Sequence, residues 1–136
     1  MKSKSGFLVA GLGILLAAMP LLAHHSFSSE YDSTKRLTLK GKMVNFEWVN
    51  PHSWIHVEVT NADGSKTVWK GETPPINVLF RNGWTKPIVE KLVASGEEVT
   101  MTGTPAKDGS NHIFAQNLTI LSSNTVMSLS GAPPAQ

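Results

Sequence analysis

The amino-acid sequence predicts an all-β domain interrupted by one short helical insertion. Five stretches between Leu37 and Leu121 carry the two-residue alternation or the β-branched and aromatic content of strands. Asp63-Gly64 and Asp108-Gly109 supply tight turns between neighbouring stretches. Only the proline-led segment between Thr73 and Gly96 has helical spacing.

The chain opens with Met1-Lys2-Ser3-Lys4, an apolar run from Phe7 to Ala18, and Pro20-Leu21-Leu22-Ala23. A basic start, a short apolar stretch and a small residue before polar sequence are the parts of a signal peptide, here residues 1–23. The run is too short to span a bilayer, which takes roughly 20 apolar residues. Export to the periplasm or the medium is therefore expected, with no membrane association after cleavage. Residues 24–36 are polar and aperiodic and predict an extended N-terminal arm.

Leu37 to Val49 predicts a long first strand. Leu37 and Leu39 share one parity, and Val44, Phe46 and Trp48 share the other. The change falls at Gly41–Met43, where glycine suggests a bulge or a sharp coil. Asn50-Pro51 interrupts pairing. Trp54 to Thr60 is the second strand, with Ile55, Val57 and Val59 on one face and Trp54, His56 and Glu58 on the other. Thr67 to Glu72 is the third. After Thr73-Pro74-Pro75, residues Ile76 to Asn82 predict two helical turns with Ile76, Leu79 and Phe80 together, stopped by Gly83. A second short helix runs from Pro87 to Val93, with Thr85 before it and Ser95-Gly96 after it. Val99 to Thr104 and His112 to Leu121 are the fourth and fifth strands. Residues 122–136, rich in Ser, Asn, Gly, Pro and Ala, predict a disordered tail. The expected core is Val44, Phe46, Ile55, Val57, Val59, Leu79, Val99, Met101, Phe114 and Leu118.

Three strands, a helical insertion and two strands is the order of a five-stranded OB-fold-like barrel over residues 37–121, whose long first strand belongs to both halves. Four segments carry a resemblance: His24-His25-Ser26-Phe27, Glu47-Trp48-Val49-Asn50-Pro51-His52-Ser53-Trp54, Gly83-Trp84-Thr85, and Ala106 to Asn111. Together they resemble a family of small exported bacterial proteins of unknown function, over roughly His24 to Leu121. The resemblance implies export and a β-barrel-like domain, and it implies no reaction.

Charge and composition narrow the function classes. Lys2 and Lys4 leave with the signal peptide, so the net charge falls from +2 to about zero. Such a domain lacks the electrostatic footprint of a nucleic-acid binder. There is no cysteine, hence no disulfide and no thiol nucleophile, and no G-x-S-x-G elbow or phosphate-cradling loop. The chain is read as a non-enzymatic binding or accessory module for an unidentified ligand or periplasmic protein.

Two candidate sites follow from residue type. Trp54, His56 and Glu58 lie opposite the core stripe of their strand and could line a ligand-binding face by aromatic stacking. Trp48, Trp69 and Trp84 are expected to fill the core instead. The second site is a copper or zinc centre of His24, His25 and His52. Cleavage after Ala23 makes His24 the N-terminus, whose amine and ring nitrogen can chelate one metal together. That alternative makes the protein a metal carrier or a copper-dependent redox enzyme. His52 and His56 are about 13 Å apart along an extended strand and cannot share a metal there.

Overall fold

The computed structural model describes residues 27–129. The chain divides into two compact units at Glu30–Tyr31. The described part of the first is a single helical turn, residues 27–30, where the sequence predicts extended chain. Four residues are too few for a helical period to register.

The second unit is a closed five-stranded barrel with one added strand. In chain order it has β1 (Leu37–Glu47), β2 (Trp54–Thr60), β3 (Lys66–Glu72), α1 (Ile76–Arg81), α2 (Lys86–Ser95), β4 (Glu98–Pro105), β5 (His112–Ile120) and β6 (Thr125–Ser128). The sheet order is β3-β2-β1-β4-β5-β6, and a parallel β3–β5 pairing closes the ring. The first half of β1 pairs with β4 through Leu37–Lys42, and the second half pairs with β2 through Lys42–Glu47. One strand thus serves both halves of the barrel, the OB arrangement.

Gly41 sits where β1 passes between its two partners. A Cβ there would fall well inside van der Waals contact of the Glu58 carbonyl oxygen. The glycine is needed for close backbone approach. The bulge lies just beyond it, with Met43 opposite Val57 and Asn45 opposite His56. Val44 is the extra residue and turns outward, 40% exposed, while Met43 and Phe46 both point into the core. The expected burial of Val44 is corrected by that one-residue shift.

The same device acts in β5. Thr102 pairs with Asn117 and Gly103 with Ala115, so Gln116 is the extra residue. Ile113 and Ala115 therefore face inward together with Leu118, and Phe114 turns outward to lie half-buried against Tyr31. Its assignment to the core fails because a strict two-residue alternation ignores the bulge. Ile55, Val57, Leu79, Val99, Met101 and Leu118 are buried as expected, and Val59 is half-buried at the core margin.

The helical insertion closes one end. Trp84 N–H bonds Leu79 O and Gly83 N–H bonds Phe80 O, a Schellman pattern with Gly83 at φ 86°. It drives Trp84 into the core, fully buried, with Nε1 donating to Ser128 O at 2.9 Å. Trp48 and Trp69 only pack against the core margin. Phe80, expected beside Leu79, is 52% exposed and lies 5.7 Å from Trp48. Val89 and Leu92 are the buried residues of α2.

The tail also differs from expectation. Residues 121–124 turn, with Asn124 at φ 52°, and Thr125–Ser128 add as β6 to the edge of β5. Leu129 is fully buried. The polar turn hides the short apolar alternation behind it.

Because the Gly41 Cβ has no room, Gly41→Ala is expected to destabilise the barrel by about 2 kcal/mol or more. Chemical denaturation checks this, and a loss under about 0.5 kcal/mol would contradict the close approach.

Candidate functional site

Two loops flank one rim of the barrel: residues 48–53 between β1 and β2, and residues 106–111 between β4 and β5. The first is built around a cis Asn50-Pro51 bond and a buried serine. Ser53 Oγ donates to Val49 O at 3.0 Å and accepts from Val49 N–H at 3.3 Å. Ser53 O in turn accepts from Thr73 N–H at 2.9 Å and from the Thr73 hydroxyl at 3.0 Å. The loop is therefore tied to the end of β3.

His52 continues that tie. Its Nδ1 lies 2.9 Å from Thr73 O and 3.1 Å from Glu72 Oε1. A carbonyl can only accept, so Nδ1 carries a proton and donates it there. The other oxygen of Glu72 accepts from the hydroxyl of Tyr31, which is nearly fully buried. Tyr31 bridges Ala106 across the backbone, and Asp32 N–H bonds Pro105 O at 2.9 Å. One chain of polar contacts thus joins both loops.

The second loop is shaped by Asp108 and Gly109, the latter at φ 76°. Asp108 Oδ1 accepts from the Ser110 hydroxyl at 2.6 Å and from Ser110 N–H at 2.9 Å. These bonds hold its carboxyl below the usual carboxylate range. Ala106 N–H bonds His112 O at 3.0 Å, and Lys70 N–H bonds Asn111 O at 2.9 Å.

Between the loops lies an open cleft of about 170 Å³ lined by Glu47, Trp54, Lys70 and His112. The rings of Trp54 and His112 are 5.6 Å apart and tilted by 45°. Lys70 is in register with His56 on one side and His112 on the other. Among the described residues its ammonium group makes no ion pair. Glu47 Oε1 lies 2.6 Å from His56 Nε2, which is buried and not aligned to bond it. A larger groove of about 440 Å³ lies between β1 and α2, lined by Phe46, Trp48, Val89 and Val93 among others. Asn45, Lys86 and Glu90 also form its walls.

The three predicted ligand-binding residues do not stay together. Trp54 lines the cleft and His56 stands beside its wall through Glu47. Glu58 instead bonds Lys66 at 2.7 Å and lines a separate charged hollow with Lys40 and Lys42. Lys70 and His112 were missed because the β3–β5 pairing brings them together, and Glu47 because it reaches the cleft from the end of β1, opposite Trp54. Of the predicted metal set, His24 and His25 lie outside the described residues. His52 has Glu72 beside it, and among the described residues no group of three His, Cys, Asp or Glu gathers to hold a metal.

A family model described as "Family of unknown function (DUF6152)" matches residues 13–115. The chain belongs to this family. The DUF6152 match spans both rim loops, all of β1 to β4 and the start of β5. No curated protein and no solved structure matches the chain.

Tyr31→Phe removes the donor to a carboxylate that is largely buried. The expected loss is about 1–3 kcal/mol of stability, because Glu72 keeps an unsatisfied oxygen. Lys66→Ala, which breaks an exposed pair with Glu58, should cost under about 1 kcal/mol. Thermal unfolding of both variants checks the contrast, and equal losses would contradict a buried Tyr31–Glu72 bond.

Proposed function

We propose that this protein is an exported binding module that holds a small polar ligand in the Trp54–His112 cleft. One observation carries the reading: Trp54 and His112, the first strand residues after the two rim loops, come together at the outer face of β2 and β3. Barrels of this kind bind oligosaccharides and oligonucleotides at that face and with those loops. Here the face offers an aromatic pair, a lysine and a carboxylate within one opening. Export rests on the n-region, apolar stretch and Ala23 of the leader.

Binding fits the rim better than catalysis does. The hydroxyl of Ser53 is spent on Val49, and that of Tyr31 on Glu72. Both hydroxyls are buried, and neither lines the cleft. Nothing among the described residues favours the copper, zinc or copper-redox alternatives. The near-zero charge of the domain argues against a nucleic-acid strand.

Screening a library of saccharides, nucleotides and amino acids by NMR against the leader-free protein tests the reading. Hits are expected to shift the Trp54 indole, Lys70 and His112 signals, and Trp54→Ala should weaken them by about tenfold or more. Trp54 is half-buried outside the main core, so the variant should keep its amide spectrum. Hits that map to the β1–α2 groove and ignore Trp54→Ala would refute it.

A further inference from the structure

We propose that the cleft recognises a saccharide bearing a carboxylate, an assignment that rests on the binding-module reading and narrows it. The cleft joins three chemistries in one small opening. Trp54 offers a ring already backed by His112. An aromatic ring of this kind stacks against the C–H face of a pyranose, as in other barrels that hold sugars on this surface. Glu47 keeps its second carboxylate oxygen as an acceptor for ligand hydroxyls, its side chain being 42% exposed. Lys70 supplies the third element.

Lys70 decides between neutral and acidic ligands. In the charged hollow Lys66 pairs with Glu58 and Lys40 with Glu98, whereas Lys70 stands beside an aromatic pair. Within the cleft the only carboxylate is that of Glu47, and it lies against His56. The ammonium of Lys70 therefore faces the opening without a counter-charge among the described residues. A ligand carboxylate fills that role through a charge-assisted hydrogen bond, which contributes about twice as much as a neutral one. A phosphodiester strand fits worse, because one lysine beside a glutamate makes no track for successive phosphates. The cleft is small and open, about 170 Å³. That suits one sugar residue of a chain lying across an open cleft.

Titration of the leader-free protein with three probes tests the assignment: oligogalacturonate, the matching neutral galactose oligomer, and single-stranded oligothymidylate. Oligogalacturonate is expected to bind about tenfold more tightly than the neutral oligomer, and more weakly as salt rises. Lys70→Met should erase that preference, so that the variant binds the acidic and the neutral oligomer equally. Trp54→Ala should abolish both. Equal affinity for acidic and neutral oligomers, with Trp54 still required, overturns the carboxylate assignment and leaves the binding module standing. A preference that survives Lys70→Met does the same. No binding of oligogalacturonate, or tighter binding of oligothymidylate, overturns the saccharide. Binding of every probe that ignores Trp54→Ala overturns the cleft itself, and with it the proposed function. Amide spectra of both variants verify that the barrel is intact.

Discussion

The short parallel pairing between β3 and β5 is the constraint on which the rest depends. Only three residue pairs make it: Lys70 with His112, Gly71 with Ile113, and Glu72 with Phe114. It closes the barrel, and it brings the two sides of the rim cleft together, while the β1–β2 pairing sets Glu47 opposite Trp54. Lys70 meets His112 because of it, and Glu72 comes within reach of Tyr31. Close approach is possible because Gly71 has no side chain; a Cβ there would lie 2.6 Å from Met101 Sδ and 3.0 Å from Ala115 Cβ. The glycine thus lets the strand settle onto the core where the ring must close.

The asparagine–proline–histidine segment is the most distinctive stretch of the sequence, and its described contacts are architectural. Ser53 closes the loop on Val49, and His52 reaches the end of β3. These bonds satisfy buried polar groups that would otherwise weaken the rim. The groups left facing the opening are Trp54, Lys70, Glu47 and His112. A rigid frame below and a few polar groups at the opening above is the division of labour expected of a binding site. The assignment to export and to a saccharide remains a proposal built on that division and on the leader sequence.

Much of the fold is legible in the sequence because its signals are local. Alternation at Ile55, Val57 and Val59, the Asp63-Gly64 turn and the Gly83 stop each act within a few residues, and β2 falls at its expected bounds. The errors come from shifts of one residue. Val44 and Gln116 are bulged, and each flips the strand beyond it, so Val44 and Phe114 leave the core while Met43 and Ile113 enter it. β6 was hidden behind a polar turn. The site was legible only in part. Trp54 and His56 stand out by parity within one strand, whereas Lys70 and His112 are 42 positions apart and meet only through a non-local pairing. A closing strand pair of that length leaves no periodic trace in either strand.

Amide hydrogen exchange at Lys70 tests the closure most directly. Its N–H bonds Asn111 O at 2.9 Å, at the point where the ring shuts. If the barrel is closed, Lys70 N–H exchanges as slowly as the amides of the β1–β2 core, through global unfolding. An amide at Lys70 that exchanges freely while Val57 stays protected would mean an open sheet, and the cleft built on the closure would not exist.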